Sequence, residues 1–356
     1  MGTSAVVALP ARIAPRIRVW AWPALLVTCS IAGVVGVLKG IGPTVVDGTQ
    51  FYWLFSYEHG FVRRALIGTL VRPILERASF DQVAPYIAAA HVIVCLGIIA
   101  TCHAFFTHAV RREESFDARI TLSGAFLVLM CSQWLTTLAH DVGYVDVYLV
   151  SLVLAGLWLI LREQYVAAAA AMMVGPLVHE AFLFMWAPVA IVLSWSALTI
   201  ESDRRRKLLA ALTPVLSTAA VAFFQSDAAA ARTIDALPLS AGIKDGLKAY
   251  QIEQTLRSSF HEMVRYQYPG NLHRIEIAAA YFLLPSAVIV WAAAYCYWPR
   301  WRAPWTTLLV MVIATLSPLT ILLFAWDLSR FLVWANLAAA IALLTAGAPN
   351  LTRRRP

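Results

Sequence analysis

The sequence has few charged residues. Asp, Glu, Lys and Arg make up 13% of the 356 residues, whereas 60% are hydrophobic. A soluble globular chain carries roughly 25% charged residues, so this composition excludes a soluble globular protein. The apolar runs are about 17 to 25 residues long, the length that crosses a ~30 Å hydrocarbon core as a helix. Because strand-type alternation over ten-residue segments is also lacking, we expect an all-α, polytopic membrane protein.

Motifs of soluble enzymes and of nucleic-acid binders are lacking as well. The five cysteines fall inside apolar runs without a C-x-x-C pair, so we expect packing residues rather than disulfides or metal ligands. Neither a P-loop nor a dinucleotide fingerprint occurs. The net charge of +8 comes from basic residues scattered between apolar runs, so nucleic acid is not expected as a partner.

The apolar runs predict about ten spans within a single integral-membrane domain over residues 1–356. Residues 42–82 form a long first loop, and residues 226–274 form a polar loop that we expect to act as a lid. The predicted spans are 20–41, 83–108, 120–139, 145–161, 166–179, 181–199, 208–225, 276–296, 305–325 and 331–347.

Lys and Arg in the short loops predict the orientation, because they concentrate on the cytoplasmic side. Six segments alternate so that they share one side, and they hold 16 of the 28 basic residues. Both termini are then expected in the cytoplasm. The basic residues concerned are Arg12, Arg16, Arg18, Arg111, Arg112, Arg119, Arg162, Arg204, Arg205, Arg206, Lys207, Arg300, Arg302, Arg353, Arg354 and Arg355.

The opposite, outer side collects the acids and histidines that interrupt apolar stretches. A charge at mid-bilayer costs at least ~2.5–3.5 kcal/mol on insertion scales, so these residues either cap span ends or line a polar cavity. Their concentration at four corners favours the cavity. They are Asp47, Glu58, His59, His140, Asp141, Asp146, His179, Glu180 and Asp327, with Arg330 beside the last.

The first loop carries the densest group of charges. Residues 59–77 show helical spacing of Val62, Leu66, Leu70 and Ile74, which predicts an amphipathic helix in the membrane interface. Its arginines lie on the side that the orientation bias disfavours. They either snorkel to water or bind a lipid phosphate or diphosphate, as the planar guanidinium does well.

The other corners offer carboxylates and possible ion pairs. His140-Asp141 joins spans three and four, and Asp146 there can simply cap the fourth span. A carboxylate-rich site would suit Mg²⁺ or Mn²⁺ better than Zn²⁺, and the cofactor stays unknown. His179-Glu180 is either a functional pair or a buried structural one. Asp327 and Arg330 are either a local salt bridge or a phosphate contact.

This layout resembles the integral-membrane glycosyltransferases of the C superfamily (GT-C), which use polyprenyl-phosphate sugars. Those enzymes carry an acid in the first outer loop, where Asp47 stands here, and an acidic motif between spans three and four, where His140-Asp141 and Asp146 stand. The second loop lacks an Asp-x-Asp or Glu-x-Asp. The stretch EHGFVRRALIGTL also looks like a signature of uncharacterised bacterial membrane proteins.

The resemblance implies sugar transfer from a polyprenyl-phosphate donor to an envelope glycan, lipid or protein, at the outer face of the bacterial cytoplasmic membrane. Asp47 would be the catalytic base, and Asp141 the second catalytic carboxylate; both are candidate metal ligands. Phosphate contacts would come from Arg63, Arg64 and Arg330. The remaining expected substrate contacts are Glu58, His59, His140, His179, Glu180 and Asp327.

Three alternatives stay open. A Wzy-like polysaccharide polymerase or ligase would depend on Arg63 or Arg64 and tolerate loss of Asp47. A transporter would need polar groups at mid-membrane, where the spans offer little beyond His91, His103 and Asn336. A non-enzymatic assembly protein would tolerate loss of every corner residue.

Overall fold

The structure is a computed structural model that describes residues 14–42, 45, 50–62, 64–200, 203–237, 241–248, 268–301, 303–323 and 328–348. For residues 14–18, 50–51, 246, 268–282, 322–323 and 328–333 it describes the backbone alone. Within these ranges the chain is helical and contains no β-strand, which confirms the all-α prediction.

Sixteen α-helices are described. They are α1 (Ala14–Gly40), α2 (Gln50–Leu54), α3 (Leu66–Leu75), α4 (Phe80–Arg111), α5 (Phe116–Cys131), α6 (Trp134–His140), α7 (Asp146–Leu161), α8 (Tyr165–Met172), α9 (Val174–Val178), α10 (Phe182–Thr199), α11 (Arg204–Phe224), α12 (Asp227–Ala236), α13 (Ala241–Lys248), α14 (Tyr268–Tyr297), α15 (Pro304–Leu316) and α16 (Leu328–Ala346). Short 3₁₀ helices cover Tyr57–His59, Trp298–Arg300 and Ser317–Leu323.

The ten predicted apolar runs fall largely on these helices, one run on each helix or on each consecutive pair. By length and composition, six segments of the described chain can cross a membrane, so the protein fits the multi-pass membrane class. They are Val19–Gly40, Phe80–Arg111, Phe116–His140, Phe182–Thr199, Arg204–Phe224 and Pro304–Ile321.

The long helices pack as a closed ring. Going round it, α1 contacts α4, then come α7, α8, α11, α10, α15, α14 and α5, and α5 returns to α1. Every step joins two helices in direct contact. Two ring neighbours, α15 and α14, are joined by α16, which also touches α4, α5, α6 and α10.

Helix α16 is the most deeply placed of the described helices. All of its residues from Trp334 to Ala346 are buried, as expected for a helix that is apolar all round. Its amide residue Asn336 accepts a hydrogen bond from Ser286 Oγ of α14 at 2.7 Å. The sequence predicted a span here but not its central position.

Two predicted continuous spans are interrupted helices. Between α5 and α6 the carbonyl of Leu129 accepts hydrogen bonds from Ser132 Oγ and Trp134 Nε1, each at 2.7 Å. Between α8 and α9 the carbonyl of Met173 accepts from Ser217 Oγ of α11 at 3.0 Å. A helix break inside a membrane leaves backbone groups that need hydrogen-bond partners. These side chains provide partners for the carbonyl groups of Leu129 and Met173.

The first-loop helix is shorter than predicted. Helix α3 begins at Leu66 rather than at residue 59, so Arg64 does not belong to it and Val62 packs in a separate apolar cluster. Pro73 lies inside the helix, which ends two residues later. Leu70 and Ile74 remain exposed, as an interfacial helix requires.

Loops gather at the two ends of the bundle. We call the end that carries residues 50–62, 64–79, 141–145, 179–181, 225–237 and 241–248 the first-loop end. The opposite end, which we call the basic end, carries residues 112–115, 162–164 and 298–301. A bidentate ion pair between Arg300 and Glu113 joins two of the loops at the basic end.

Gly68 tests the packing of α3. A Cβ atom at this position would lie 1.8 Å from the carbonyl oxygen of Phe55, so we expect Gly68→Ala to destabilise the protein by about 1–3 kcal/mol through overpacking. Gly124→Ala in α5 is the control, because nothing lies within 4 Å of its Cβ position. This control should stabilise by about 0.5–1 kcal/mol. Thermal unfolding in detergent measures both, and equal midpoints would contradict the α3 position.

Candidate functional site

The first loop is fixed to the turn between α9 and α10 by one ion pair. Arg64 Nε donates to Glu180 Oε2 at 2.9 Å, and Arg64 Nη2 donates to Glu180 Oε1. This bidentate geometry is the strong form of an arginine–carboxylate contact. Two predicted site residues that are 116 positions apart in sequence therefore meet.

The backbone of Arg64 is in an unusual conformation. Its φ angle is +62°, in the left-handed region that costs a non-glycine residue roughly 1–2 kcal/mol. The side chain of Arg64 is buried. The chain thus accepts backbone strain at the residue that turns its guanidinium towards Glu180, and such strain clusters at functional sites.

His179 and Tyr52 extend the contact between these two loops. Nδ1 of His179 accepts the backbone N–H of Ala181 at 3.0 Å. Since Nδ1 is then an acceptor, we assign the neutral ring its proton on Nε2. That nitrogen lies 3.4 Å from Tyr52 Oη, so His179 donates to the tyrosine hydroxyl.

The turn between α6 and α7 joins the same group. Trp53 Nε1 donates to the carbonyl of Gly143 at 2.8 Å, and Gly143 has a φ of +96°, which glycine adopts without strain. The ring of Tyr144 lies 5.8 Å from that of Tyr52, centroid to centroid. Three predicted polar corners therefore converge at the first-loop end.

Helix α12 covers the first loop. Ser226 N donates to the carbonyl of Phe61 at 3.1 Å, and Arg232 Nη2 donates to the carbonyl of His59, also at 3.1 Å. An apolar cluster lies beneath these bonds. It consists of Phe55, Val62, Ala65, Ala229, Ala230, Ile234 and Leu237. The start of the predicted lid loop thus packs on the candidate site, whereas residues 249–267 of that loop lie outside the described residues.

Glu58 belongs to an exposed network along α3. Its Oε1 lies 2.7 Å from Arg72 Nη2, and Arg72 Nε donates to Glu76 at 2.8 Å. Hydrogen bonds to Glu58 first, and then to Glu76, raise the pKa of Arg72. His59 Nε2 lies 3.9 Å from the other oxygen of Glu58. The structure places this network on the surface of the first loop.

His140 and Asp141 lie next to each other at the end of α6. His140 Nδ1 lies 3.3 Å from Asp141 Oδ1, and the histidine is largely exposed. Asp146 is buried at the first position of α7, where a carboxylate is favoured by the helix dipole. Nowhere in the described part of the chain do three metal-binding side chains meet.

Four predicted site residues have no described side chain. Asp47, Arg63 and Asp327 lie outside the described residues, and Arg330 is described by its backbone alone, within α16. The predicted pairing of Asp327 with Arg330 therefore stays a prediction.

The sequence analysis missed the roles of Tyr52 and Trp53. Both side chains are buried and bond neighbouring turns. A usable signal existed, because buried tyrosine and tryptophan need partners for their polar atoms. No protein-family model, curated protein or solved structure matches this chain.

The two ion pairs that Arg64 and Arg72 make should contribute differently to the stability of the protein. Glu180→Gln removes the charge that faces a buried arginine, so we expect a loss of about 3 kcal/mol. Glu58→Gln affects an exposed network and should leave the thermal midpoint unchanged. Thermal unfolding of the purified variants tests this, and equal losses would contradict the contrast.

Proposed function

We propose that this protein is a glycosyltransferase of the bacterial cytoplasmic membrane, with ten spans, both termini in the cytoplasm and its site facing the periplasm. It would transfer a sugar from a polyprenyl-phosphate donor to an envelope glycan, lipid or protein acceptor. The observation that carries the proposal is the convergence of three polar corners, marked by Tyr52, Gly143 and the His179-Glu180 pair, at one end of the bundle.

The chemistry of the donor suits these residues. A sugar on a lipid phosphate has a good leaving group, so protonation by a carboxylic acid is not required as it is in glycosidases. The reaction needs a carboxylate to accept the proton of the acceptor hydroxyl, a role worth typically ~10²–10⁴-fold, which we assign to Asp47. Cations must stabilise the departing phosphate, and the arginines of the first loop supply them.

The other candidate residues take supporting roles. Asp141 serves as the second carboxylate and, with Asp47, as the ligand of Mg²⁺ or Mn²⁺ if a metal takes part. His140, His179, Glu58 and the other polar corner residues contact the sugar or the acceptor.

The transport alternative has less support. Three polar residues that the sequence places within spans each make a hydrogen bond to a neighbouring helix. His91 Nε2 lies 2.9 Å from the carbonyl of Leu138, His103 Nδ1 lies 2.8 Å from Ser30 Oγ, and Asn336 accepts from Ser286. Such groups hold helices together.

The orientation can be tested by labelling. In a Cys131→Ser background, Ala236→Cys places a thiol at an exposed position of α12, and Arg205→Cys places one at the start of α11. A membrane-impermeant maleimide added to intact spheroplasts should label the first thiol at once and the second only after permeabilisation. The reverse pattern would overturn the proposed orientation.

The activity can be tested in reconstituted vesicles with a panel of polyprenyl-phosphate sugars. We expect Asp47→Asn and Asp141→Asn each to reduce the release of polyprenyl phosphate by at least ~10²-fold, because each removes a reacting carboxylate. Asp81→Asn is the control, since this exposed acid in the first turn of α4 lies at the same end.

Full activity of both variants would rule out the proposed mechanism. If Arg63→Gln is inactive while Asp47→Asn is active, the polymerase or ligase alternative is favoured instead. Normal envelope assembly by every corner variant would point to a non-enzymatic role.

A further inference from the structure

Two bidentate arginine–glutamate pairs stand at opposite ends of the bundle. Arg64 and Glu180 pair at the first-loop end, and Arg300 and Glu113 pair at the basic end, with Arg300 Nη1 donating to Glu113 Oε1 at 2.7 Å. Each pair joins loops that are far apart in sequence. Their chemistry is identical, so a difference in their surroundings is informative.

The burial of the two pairs is reversed. At the first-loop end the arginine side chain is 5% exposed and the glutamate 31%. At the basic end the arginine is 39% exposed and the glutamate 3%. The accessible partner is the one that a solute can replace, and this is the anion in the first pair and the cation in the second.

A buried guanidinium needs an anion at all times. Its desolvation is costly unless a paired negative group compensates it. Glu180 provides that group in the structure, reaching Arg64 from the accessible side of the pair. A phosphate group presents two oxygens with the same bidentate geometry and more charge, so it can replace the carboxylate without leaving Arg64 uncompensated.

The backbone conformation at Arg64 fits a binding role. Arg64 is held at a φ of +62°, and in this conformation its guanidinium faces Glu180. The neighbouring His179 directs its Nδ1 to the N–H of Ala181 at 3.0 Å, and the same nitrogen lies 3.6 Å from Glu180 Oε2. Of the other described arginines of the first loop, Arg72 is held by Glu58 and Glu76, and Arg77 is exposed.

We propose that Arg64 is the anion-binding residue of the first-loop end, and that the Glu180 carboxylate occupies the anion site until a phosphate or diphosphate group displaces it. The anion site follows from the two pairs alone. Its identification with a lipid-linked phosphate rests on the proposed glycosyltransferase function. The exchange breaks no covalent bond, since one anion simply replaces another on the guanidinium.

Thermal shift with inorganic pyrophosphate tests the anion site. Wild type should bind pyrophosphate weakly, because Glu180 competes for Arg64. Glu180→Ala should bind pyrophosphate roughly tenfold more tightly, about 1.4 kcal/mol. The thermal midpoint of this variant should be lower than that of wild type, and pyrophosphate should restore it. Glu180→Gln, which keeps the side-chain volume, should show the same direction. Arg64→Gln should lose the response, and sodium chloride at matched ionic strength should not reproduce it.

Glu113→Gln is the matched control from the other pair. It leaves an accessible arginine behind, which water can solvate, so pyrophosphate should not rescue it. Equal pyrophosphate affinity of wild type and both Glu180 variants, or a response that survives in Arg64→Gln, would overturn the proposal.

Vesicles distinguish the sources of the phosphate. Undecaprenyl phosphate should stabilise the Glu180→Ala variant, whereas undecaprenol and phosphatidylglycerol should not. Stabilisation by phosphatidylglycerol alone would assign the site to a bulk lipid headgroup and overturn the lipid-linked substrate. A protein that responds to the anion but does not transfer sugar would contradict the proposed function and leave the anion site supported. A protein that transfers sugar but does not respond to the anion would contradict the anion site and leave the proposed function supported.

Discussion

The ion pair between Arg64 and Glu180 is the interaction on which the first-loop end depends. It places a buried cation against the turn between α9 and α10, where low polarity makes each charge costly unless it is paired. Around it, Tyr52 reaches His179 and Trp53 reaches Gly143. Three segments that are remote in sequence therefore hold one arrangement, and the proposed chemistry needs such a preorganised group of side chains.

The helices supply the rigid support for this end. The ring of contacts closes on itself and α16 is buried against it, so the loops are carried by a packed scaffold, where functional residues commonly lie. The interrupted helices do not weaken it, because Ser132, Trp134 and Ser217 bond the carbonyl groups that the breaks release. Arg300 and Glu113 join the loops at the opposite end, which leaves the first-loop end as the place where an accessible anion meets a buried cation.

Hydropathy predicted the helices and the polar corners because both depend on local composition. It could not predict that α16 is central, since its run resembles the other spans and its place depends on contacts with six helices. Helical spacing placed Arg64 on an amphipathic helix, which was wrong because a positive φ at a non-glycine residue has no signature in periodicity. The partner of Arg64 is equally nonlocal. The sequence analysis named both Arg64 and Glu180 as site residues, and only the fold shows that they pair.

The energetic coupling between Arg64 and Glu180 tests the arrangement of the first-loop end most directly. A double-mutant cycle would compare the unfolding free energies of wild type, Arg64→Gln, Glu180→Gln and the double variant in one detergent. If the pair joins the first loop to the α9–α10 turn, the coupling energy should be about 1.5–3 kcal/mol, in the upper range for directly interacting residues. Additive effects, with a coupling energy within about 0.3–0.5 kcal/mol of zero, would contradict the arrangement of the first-loop end described above.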